Sequence, residues 1–453
     1  MAISQNFPNT RPSLNLNFAR SKTLDPRITF IRTQTGSEAS YVDESGIIRY
    51  ASADEPRFDH DPETGKCLGL MIEEQRTNLC YYGTTIQNFT VRDGGSSTGN
   101  ATTAPDGTNT ATRLQGSSSD VTYYDDNTAR TYTSGKTYTF SCFFKANGTD
   151  QVFILLYGDK WINHDGTSNV LGKFNLTNGT VVAASSGFQR DPSGGAKIES
   201  YPNGWYRCSI TETCSTTHTQ IQQFIRFNGL SGDIYAWGYQ IEEDKDMSSL
   251  IPTTTNATVT RNADNVWMSD ISDFFNPSEG TSVIKFSFRY DGVHNNPYRD
   301  LFAFRDHSTG VMMGVRGNNN NSQFLFTGYN LLFDDSDSNG SGDFAWLSPS
   351  TTRNLQHTVA VSYASTYFRM YRNDEKSFSS INTNYGIGKA ITDEYIPHIN
   401  PSTGITTSNF TSLGFGNNGT TTTTGKINCN IESFAYYPSE VGVDNVKTFT
   451  RDQ

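Results

Sequence analysis

Residues 54–79 read DEPRFDHDPETGKCLGLMIEEQRTNL, and this stretch shows a pattern of short apolar runs separated by turn residues. The run LGLMIEE follows the turn-forming PETG, which predicts a short β-strand in a hairpin. His60 lies between Asp59 and Asp61, a combination that could bind a metal or relay a proton. Adjacent residues of a strand point to opposite faces, so we predict a hydrogen-bonded structural role for His60 instead.

The remainder of the first eighty residues repeats this pattern. The runs LNLNF, ITFIRT and SYVDESGIIRYA are short and apolar or alternating, and turn residues such as ESG interrupt them. They predict short strands, paired in hairpins. Eighty residues of this kind bury little apolar area alone, so we expect residues 1–80 to dock onto a neighbour.

The stretch 54–79 and its lead-in SLNLNFARSKTLDPRITFIRTQTGS, at residues 13–37, resemble a module near the start of many tailed-phage virion proteins. In that family the module precedes β-sandwich domains. The resemblance covers roughly the first fifth of the chain. It implies that residues 1–80 form a docking or assembly module of a virion protein.

The composition of the 453 residues favours an all-β protein with two or three domains. Charged residues are only 18% and aromatic residues 13%, and mean hydropathy is −0.55, so Ser, Thr, Asn and Gly supply the polarity. A net charge of −11 argues against a general nucleic-acid binder. The N-terminus shows no signal-peptide pattern and no run is apolar enough to span a membrane. We therefore expect cytoplasmic synthesis and release with particles at lysis.

After the N-terminal module, two tandem antiparallel β-sandwiches are predicted. Seven or eight strand candidates occupy residues 81–267, and pieces such as YTFSCFFKA, NGWYRCSIT and GDIYAWGYQIEE resemble carbohydrate-binding-module-like jelly rolls of phage appendages. Residues 268–453 resemble a concanavalin A-like (laminin-G-like) sandwich, on the hairpin HTVAVSYASTYFRMYRND and the closing IESFAYYPSEV.

The six cysteines have neither C-x-x-C nor zinc spacing. Chains folded in a reducing cytosol rarely keep disulfides, so we expect free thiols. Cys142 and Cys208 lie in strand-like runs and are predicted to be buried.

One candidate carbohydrate site lies in GDKWINHDG, where Trp161 stands beside His164 and Asp165. An exposed indole can stack on the apolar face of a sugar while the polar neighbours bind its hydroxyls. The alternative, which we favour, is a loop tryptophan packed against the edge of the sandwich.

A candidate calcium loop is DDSDSNGSGD at residues 334–343. Asp335, Asp337 and Asn339 alternate before a glycine, as in the opening of a calcium loop, and Asp343 falls at the ninth position. Trp346 stands where an EF-hand has its bidentate Glu. The functional hypothesis is Ca²⁺ bound on the surface of the third region. The alternative, an acidic Ser/Gly turn, is the one we favour.

Signatures of catalysis are absent from the sequence. There is neither G-x-S-x-G nor a Walker loop, and residues 268–453 lack the E-x-D-x-x-E strand of laminarinase-type enzymes. The tandem pairs Glu73–Glu74 and Glu242–Glu243 diverge if they lie in strands, which makes them poor catalytic pairs.

The sequence therefore predicts a non-enzymatic phage virion structural protein. It would be a tail fibre, an appendage or a capsid-surface decoration that assists host adhesion through lectin-like domains. We expect it on the virion surface, as a homo-oligomer, with a trimer favoured. Its partners would be other virion proteins and a host surface glycan, with no nucleic acid and no membrane insertion. The alternatives are a polysaccharide-degrading tail enzyme and a capsid cement that binds no ligand.

Overall fold

The all-β prediction is confirmed by a computed structural model of the chain. It describes residues 11–34, 36, 38–117, 120–162, 170–182, 195–220, 223–227, 231–289, 299–306, 312–318, 323–329, 341–347, 355–364, 367–372, 410–416 and 428–441. Within these ranges there are thirty strands, one short α-helix and two 3-10 helices. No helix in the described ranges is long and apolar enough to cross a membrane.

The N-terminal segment contains seven short strands and the α-helix. They are β1 (Leu14–Asn17), α1 (Phe18–Ser21), β2 (Ile28–Ile31), β3 (Ala39–Val42), β4 (Ile48–Ala51), β5 (Phe58–His60), β6 (Cys67–Ile72) and β7 (Arg76–Asn78). The predicted ESG turn connects β3 to β4, which pair antiparallel. The predicted PETG turn connects β5 to β6.

The second part of the chain forms an antiparallel sandwich. Its elements are a 3-10 helix (Ile86–Asn88), β8 (Thr90–Arg92), β9 (Ser96–Thr102), β10 (Ala111–Gly116), β11 (Thr122–Tyr124), β12 (Thr137–Asn147), β13 (Gln151–Leu156), β14 (Val170–Asn175), β15 (Thr180–Val181), β16 (Ala196–Tyr201), a 3-10 helix (Pro202–Gly204), β17 (Trp205–Thr213), β18 (Gln223–Arg226) and β19 (Gly232–Glu242). Two further strands, β20 (Val259–Arg261) and β21 (Asn265–Met268), follow along the chain and belong to other sheets.

Two six-stranded sheets of this part enclose one core. Their orders are β16-β17-β12-β19-β10-β9 and β15-β14-β13-β18-β11-β8. Alternation along each strand decides which side chains enter the core. In β13, Val152, Ile154 and Leu156 point inward and meet Phe140 and Phe144 of β12.

The third part forms a second antiparallel sandwich. Its strands are β22 (Gly280–Phe288), β23 (Arg299–Arg305), β24 (Met312–Asn318), β25 (Gln323–Tyr329), β26 (Ser341–Leu347), β27 (Gln356–Ala364), β28 (Tyr367–Arg372), β29 (Ser412–Phe415) and β30 (Cys429–Tyr437). The predicted closing strand is β30, which lies beside β22 inside its sheet, and the hairpin predicted from HTVAVSYASTYFRMYRND is formed by β27 and β28.

The N-terminal segment completes the sheets of the third part. Strands β1 and β6 both pair with β30, and β5 extends that sheet beyond β6. Strand β2 pairs with β21 at the edge of the opposite sheet. The core between these sheets joins Leu14, Phe18 and Leu70 to Phe302 and Phe434. The segment therefore packs onto the third part of the same chain, while its role as a docking or assembly module and the boundaries at residues 80 and 267 stay predictions.

The same segment also reaches the second part. The β3–β4 hairpin packs Val42 and Ile48 against Phe143, Trp205 and Trp237, which lie on the outer face of a sheet of the first sandwich. Strand β7 pairs with β20. One continuous segment therefore contacts both sandwiches.

Candidate functional site

Trp161 is a core residue. Its side chain is 1% exposed, and its ring makes edge contacts with Tyr132, Phe140 and His218 at centroid distances of 5.2, 5.5 and 5.6 Å. A bridge to Cys214 fixes its backbone. An indole packed in this way has no free face for a sugar, so the prediction of an exposed Trp161 is corrected in favour of the packed alternative. Trp161 is buried and not exposed because Tyr132 and Tyr138 form an aromatic pocket around it, and the local sequence does not reveal this pocket.

Most of the other predicted site residues lie outside the described part of the chain. His164 and Asp165, and Asp335, Asp337 and Asn339, are outside the described residues. Asp343 lies in β26 opposite Thr327 of β25. In the described part of the chain, no three His, Cys, Asp or Glu side chains converge on a possible metal position. The calcium loop and the polar half of the carbohydrate site stay predictions.

The stretch 54–79 contributes to a buried group of charges that we call the junction cluster. Its members come from the N-terminal segment, from the end of the second part and from the end of β22; they are Arg32, Arg57, Asp59, Glu73, Arg261, Asp264 and Arg289. Every side chain in it is at most 8% exposed. Charges are tolerated in such a position only when they are paired and hydrogen-bonded.

Arg57 and Glu73 lie at the centre of this cluster. The Arg57 guanidinium donates to Glu73 Oε2 at 2.8 Å and to Asp264 Oδ2 at 2.6 Å. Arg261 Nη1 lies 2.9 Å from the same Glu73 oxygen. Ser249 donates its backbone N–H and its hydroxyl to Glu73, at 2.8 and 2.7 Å. Both carboxylate oxygens of Glu73 are therefore occupied.

The pKa values follow from these contacts. Burial alone would raise the pKa of the Glu73 carboxyl, but Arg261, Arg57 and Arg289 outweigh burial and hold it well below its usual range. Burial opposes ionisation of Asp264 as well, and Arg57 and Arg32 still lower its pKa. Burial lowers the pKa of Arg261 to about 10, although Glu73 acts in the opposite direction. The carboxylates stay ionised and shielded, which suits a structural role.

Sequence reasoning identified Glu73 only as a poor catalytic candidate and did not find the cluster. The available signal was an acidic residue directly after the apolar run LGLMI, where a buried charge must find a partner. Its partners Arg261 and Asp264 lie nearly two hundred residues away. Only the tertiary structure brings them together.

His60 has the structural role that the sequence predicts. Its Nδ1 lies 2.9 Å from the carbonyl oxygen of Val42, and the ring is buried. Asp59 accepts from the backbone N–H of Val42 and pairs with Arg289. The two neighbours therefore serve the junction between hairpin and sandwich.

A further group of charged residues lies on the face of the sheet β15-β14-β13-β18-β11-β8 that points away from the core of the sandwich; on this face Phe153 is buried and the Arg226 side chain is 12% exposed. Paired residues of adjacent strands share a face of a sheet. The register places five residues in one row across five strands, in the order Lys173, Phe153, Arg226, Thr122 and Arg92. We call them the cation row, because a positive charge occurs on every second strand.

Aromatic rings beneath the cations fix their positions. The Lys173 ammonium lies 5.5 Å from the ring centroid of Phe153, and the Arg92 guanidinium 4.8 Å from that of Tyr124. Arg92 Nε also donates to the Tyr124 hydroxyl at 3.0 Å. Such contacts attract a cation to the face of the ring. Arg226 forms an ion pair with Asp120, which is exposed.

Comparisons with known proteins give no family. No protein-family model and no curated protein matches the chain. Solved structures with some similarity include botulinum neurotoxin type C, which interacts with two ganglioside molecules (14% identity, 42% of this chain and 40% of that chain, TM-score 0.28). Others are the LG1–3 region of the laminin α2 chain (10%, 69% and 65%, TM-score 0.25) and Trypanosoma rangeli sialidase with the inhibitor DANA (10%, 76% and 60%, TM-score 0.25).

The chain spans less than two thirds of each of these three structures. At identities of 10–14% and TM-scores of 0.25–0.28, the similarity carries no argument about ligands or activity. The assignment to the all-β class therefore rests on the strands and sheets of the chain itself.

Proposed function

We propose that the protein is a non-enzymatic structural component of a phage particle, a tail fibre, an appendage or a capsid-surface decoration, that assists adhesion to the host surface. The observation that carries this proposal is the junction cluster. The stretch that resembles the virion module places Asp59 and Glu73 in buried ion pairs. The acidic residues of this stretch therefore contribute to the connection between the two sandwiches. A catalytic carboxylate would need access to a substrate, which buried and paired carboxylates do not have.

A fixed connection between two sandwiches suits a protein displayed on a particle. Because the N-terminal segment pairs with β30 and covers Trp205 and Trp237, the sandwiches keep one relative position. Several copies around a symmetric particle, for example in trimers, would present the same faces to the host. Repetition raises avidity even when each single site is weak.

The location of the protein tests the proposal directly. We expect mass spectrometry to detect the chain in purified particles and electron microscopy with a labelled chain to place it on their surface. We also expect the purified chain to be oligomeric. A monomeric chain that is absent from particles would contradict the proposal.

Two further measurements separate adhesion from the alternatives. Particles that lack the chain should assemble and adsorb to host cells more slowly. Normal adsorption combined with fragile particles would indicate a capsid cement instead. Release of reducing ends from host polysaccharide by the purified chain would indicate an enzyme, and we expect none.

A further inference from the structure

We propose that Asn178 is a site of spontaneous deamidation and isomerisation, and that the hydroxyl of Thr180 activates its side chain for this reaction. The sequence contains six Asn-Gly pairs. Such pairs are reactive because glycine has no side chain to shield its backbone nitrogen, which can attack the preceding asparagine side chain. Three of the six pairs lie in the described ranges, and their structural settings differ. This inference is independent of the proposed function.

The reaction is an intramolecular substitution that consumes only water. The backbone nitrogen of Gly179 loses its proton to hydroxide and forms a bond to Cγ of Asn178. The bond from Cγ to the side-chain nitrogen breaks, and that nitrogen takes up a proton and leaves as ammonia. Water then opens the resulting succinimide ring at either of its carbonyl carbons. One opening gives aspartate, and the other gives isoaspartate, in which the backbone runs through the side-chain carbon.

Asn178 is exposed at the tip of a hairpin. The turn at residues 176–179 connects β14 to β15, and Gly179 has a φ of +64° there. Strand β15 contains only two residues and lies at the edge of its sheet. A short edge hairpin opens locally at a low free-energy cost. The turn therefore reaches conformations in which the Gly179 nitrogen approaches the side chain.

The hydroxyl of Thr180 distinguishes Asn178 from the other described pairs. Its Oγ1 donates to Oδ1 of Asn178 at 2.7 Å. Negative charge develops on this oxygen when the Gly179 nitrogen attacks Cγ, so a donor that is already in place stabilises the transition state. Within the described ranges, the side chains of Asn147 and Asn203 accept no such hydrogen bond.

The turns of the other two described pairs are also held more firmly. Asn147 is half-buried in β12, where its backbone is paired with Asp233 of β19. Asn203 is exposed, but six residue pairs between β16 and β17 close its turn. We therefore expect Asn178 to react first among the three.

The product of the reaction weakens the hairpin. Asp150 Oδ2 accepts a hydrogen bond from the Thr177 hydroxyl at 3.0 Å, so this carboxylate opposes a second negative charge in the same turn. Isoaspartate also adds one methylene group to a turn whose length sets the register of β14 and β15. The N–H of Val182 donates to the carbonyl oxygen of Lys173 at 2.8 Å, and we expect it to lose protection from hydrogen exchange.

The test follows the mass of each Asn-Gly peptide while the full chain is incubated in mildly alkaline buffer. Deamidation replaces an amino group by a hydroxyl group and adds about 1 Da, and electron-transfer fragmentation distinguishes isoaspartate from aspartate. We expect the peptide with Asn178 to gain this mass about tenfold faster than those with Asn147 and Asn203. In concentrated urea, where the turns are lost, the three peptides should react at similar rates.

Three variants separate the chemistry from the fold. Thr180→Val removes the activating hydroxyl and suits a strand, so it should slow the reaction at Asn178 about fivefold. Thr177→Val removes a hydroxyl that bonds to Asp150 and not to Asn178, and it should leave the rate unchanged. Asn178→Asp carries the new charge without the extra methylene group. It should keep most of the protection of Val182 that the isoaspartate form loses.

Two results would overturn the inference. Equal rates at the three described pairs of the folded chain, or a faster reaction at Asn147 or Asn203, would refute the selection of Asn178. An unchanged or faster reaction in Thr180→Val would refute the role of the hydroxyl. Because the measurement is a mass change at a defined position, these results leave the proposed function untouched.

Discussion

Trp161 shows, at the scale of one residue, that polar neighbours in sequence do not determine whether a side chain is exposed. Its neighbours in sequence are polar, yet the indole contacts Tyr132 and Phe140 in the core. We expect Trp161→Ala to lower the free energy of unfolding by about 3–5 kcal/mol, because it leaves a large cavity.

The control is Tyr157→Ala, since Tyr157 is 56% exposed. That variant should stay within about 0.5 kcal/mol of the original chain in urea unfolding. If Trp161→Ala left stability unchanged and reduced glycan binding, the exposed site predicted from sequence would be right.

Arg57 illustrates the dependence of one buried charge on its partners. Arg57→Met would leave Glu73 and Asp264 in the interior with less compensation, and we expect a cost of about 3–5 kcal/mol. Arg49 pairs with Asp43 at the surface, so Arg49→Met should cost less than about 1 kcal/mol. Equal unfolding midpoints for the two variants would contradict a structural role for the cluster.

The depressed pKa values of Glu73 and Asp264 predict loss of stability in acid. Their folded pKa values lie below the ordinary 4.5 and 3.8, so the stabilisation is fully present above these values. It decreases as pH falls through this range toward the folded pKa values. Unfolding free energies between pH 7 and pH 3 should decline below about pH 4.5. The difference between the original chain and Arg57→Met should narrow there, and a constant difference would argue against this assignment.

At the scale of elements, Gly69 decides whether β6 can pair with β30. Its φ is +98°, a region that favours glycine, and an added Cβ would overlap the carbonyl oxygen of Ile431. Gly94 has a φ of +82° but open space around the position of a Cβ. Gly94→Ala thus isolates the backbone strain, about 1 kcal/mol.

We expect Gly69→Ala to cost about 1–3 kcal/mol more than Gly94→Ala in urea unfolding, because it also forces the two strands apart. Hydrogen exchange of the Ile431 region should accelerate in Gly69→Ala alone. Equal costs would mean that β6 moves aside without loss.

The positions of the strands could be predicted from the sequence more readily than the strands with which they pair. The runs ITFIRT and LGLMIEE are strands because apolar residues and turn signals are local. Their pairing with β21 and β30 joins positions more than two hundred residues apart, and many strands of similar composition compete for each edge. A local sequence pattern contains no information on which of the competing strands pairs with a given sheet edge.

At the scale of the molecule, the shared segment should make unfolding cooperative. Strands β1 and β6 belong to a sheet of the third part, while the β3–β4 hairpin covers the second part. Unfolding either sandwich alone would expose the junction cluster. We expect one calorimetric transition whose calorimetric and van't Hoff enthalpies agree. Two separated transitions would show that the sandwiches are independent.

The sequence by itself determined the all-β class, the turns after Glu44 and Pro62 and the structural role of His60. Each of these depends on local alternation or turn chemistry. The tertiary structure decided the burial of Trp161, the junction cluster and the cation row. These depend on strand register and on contacts between distant segments, which fix the face of each side chain and the partner of each charge.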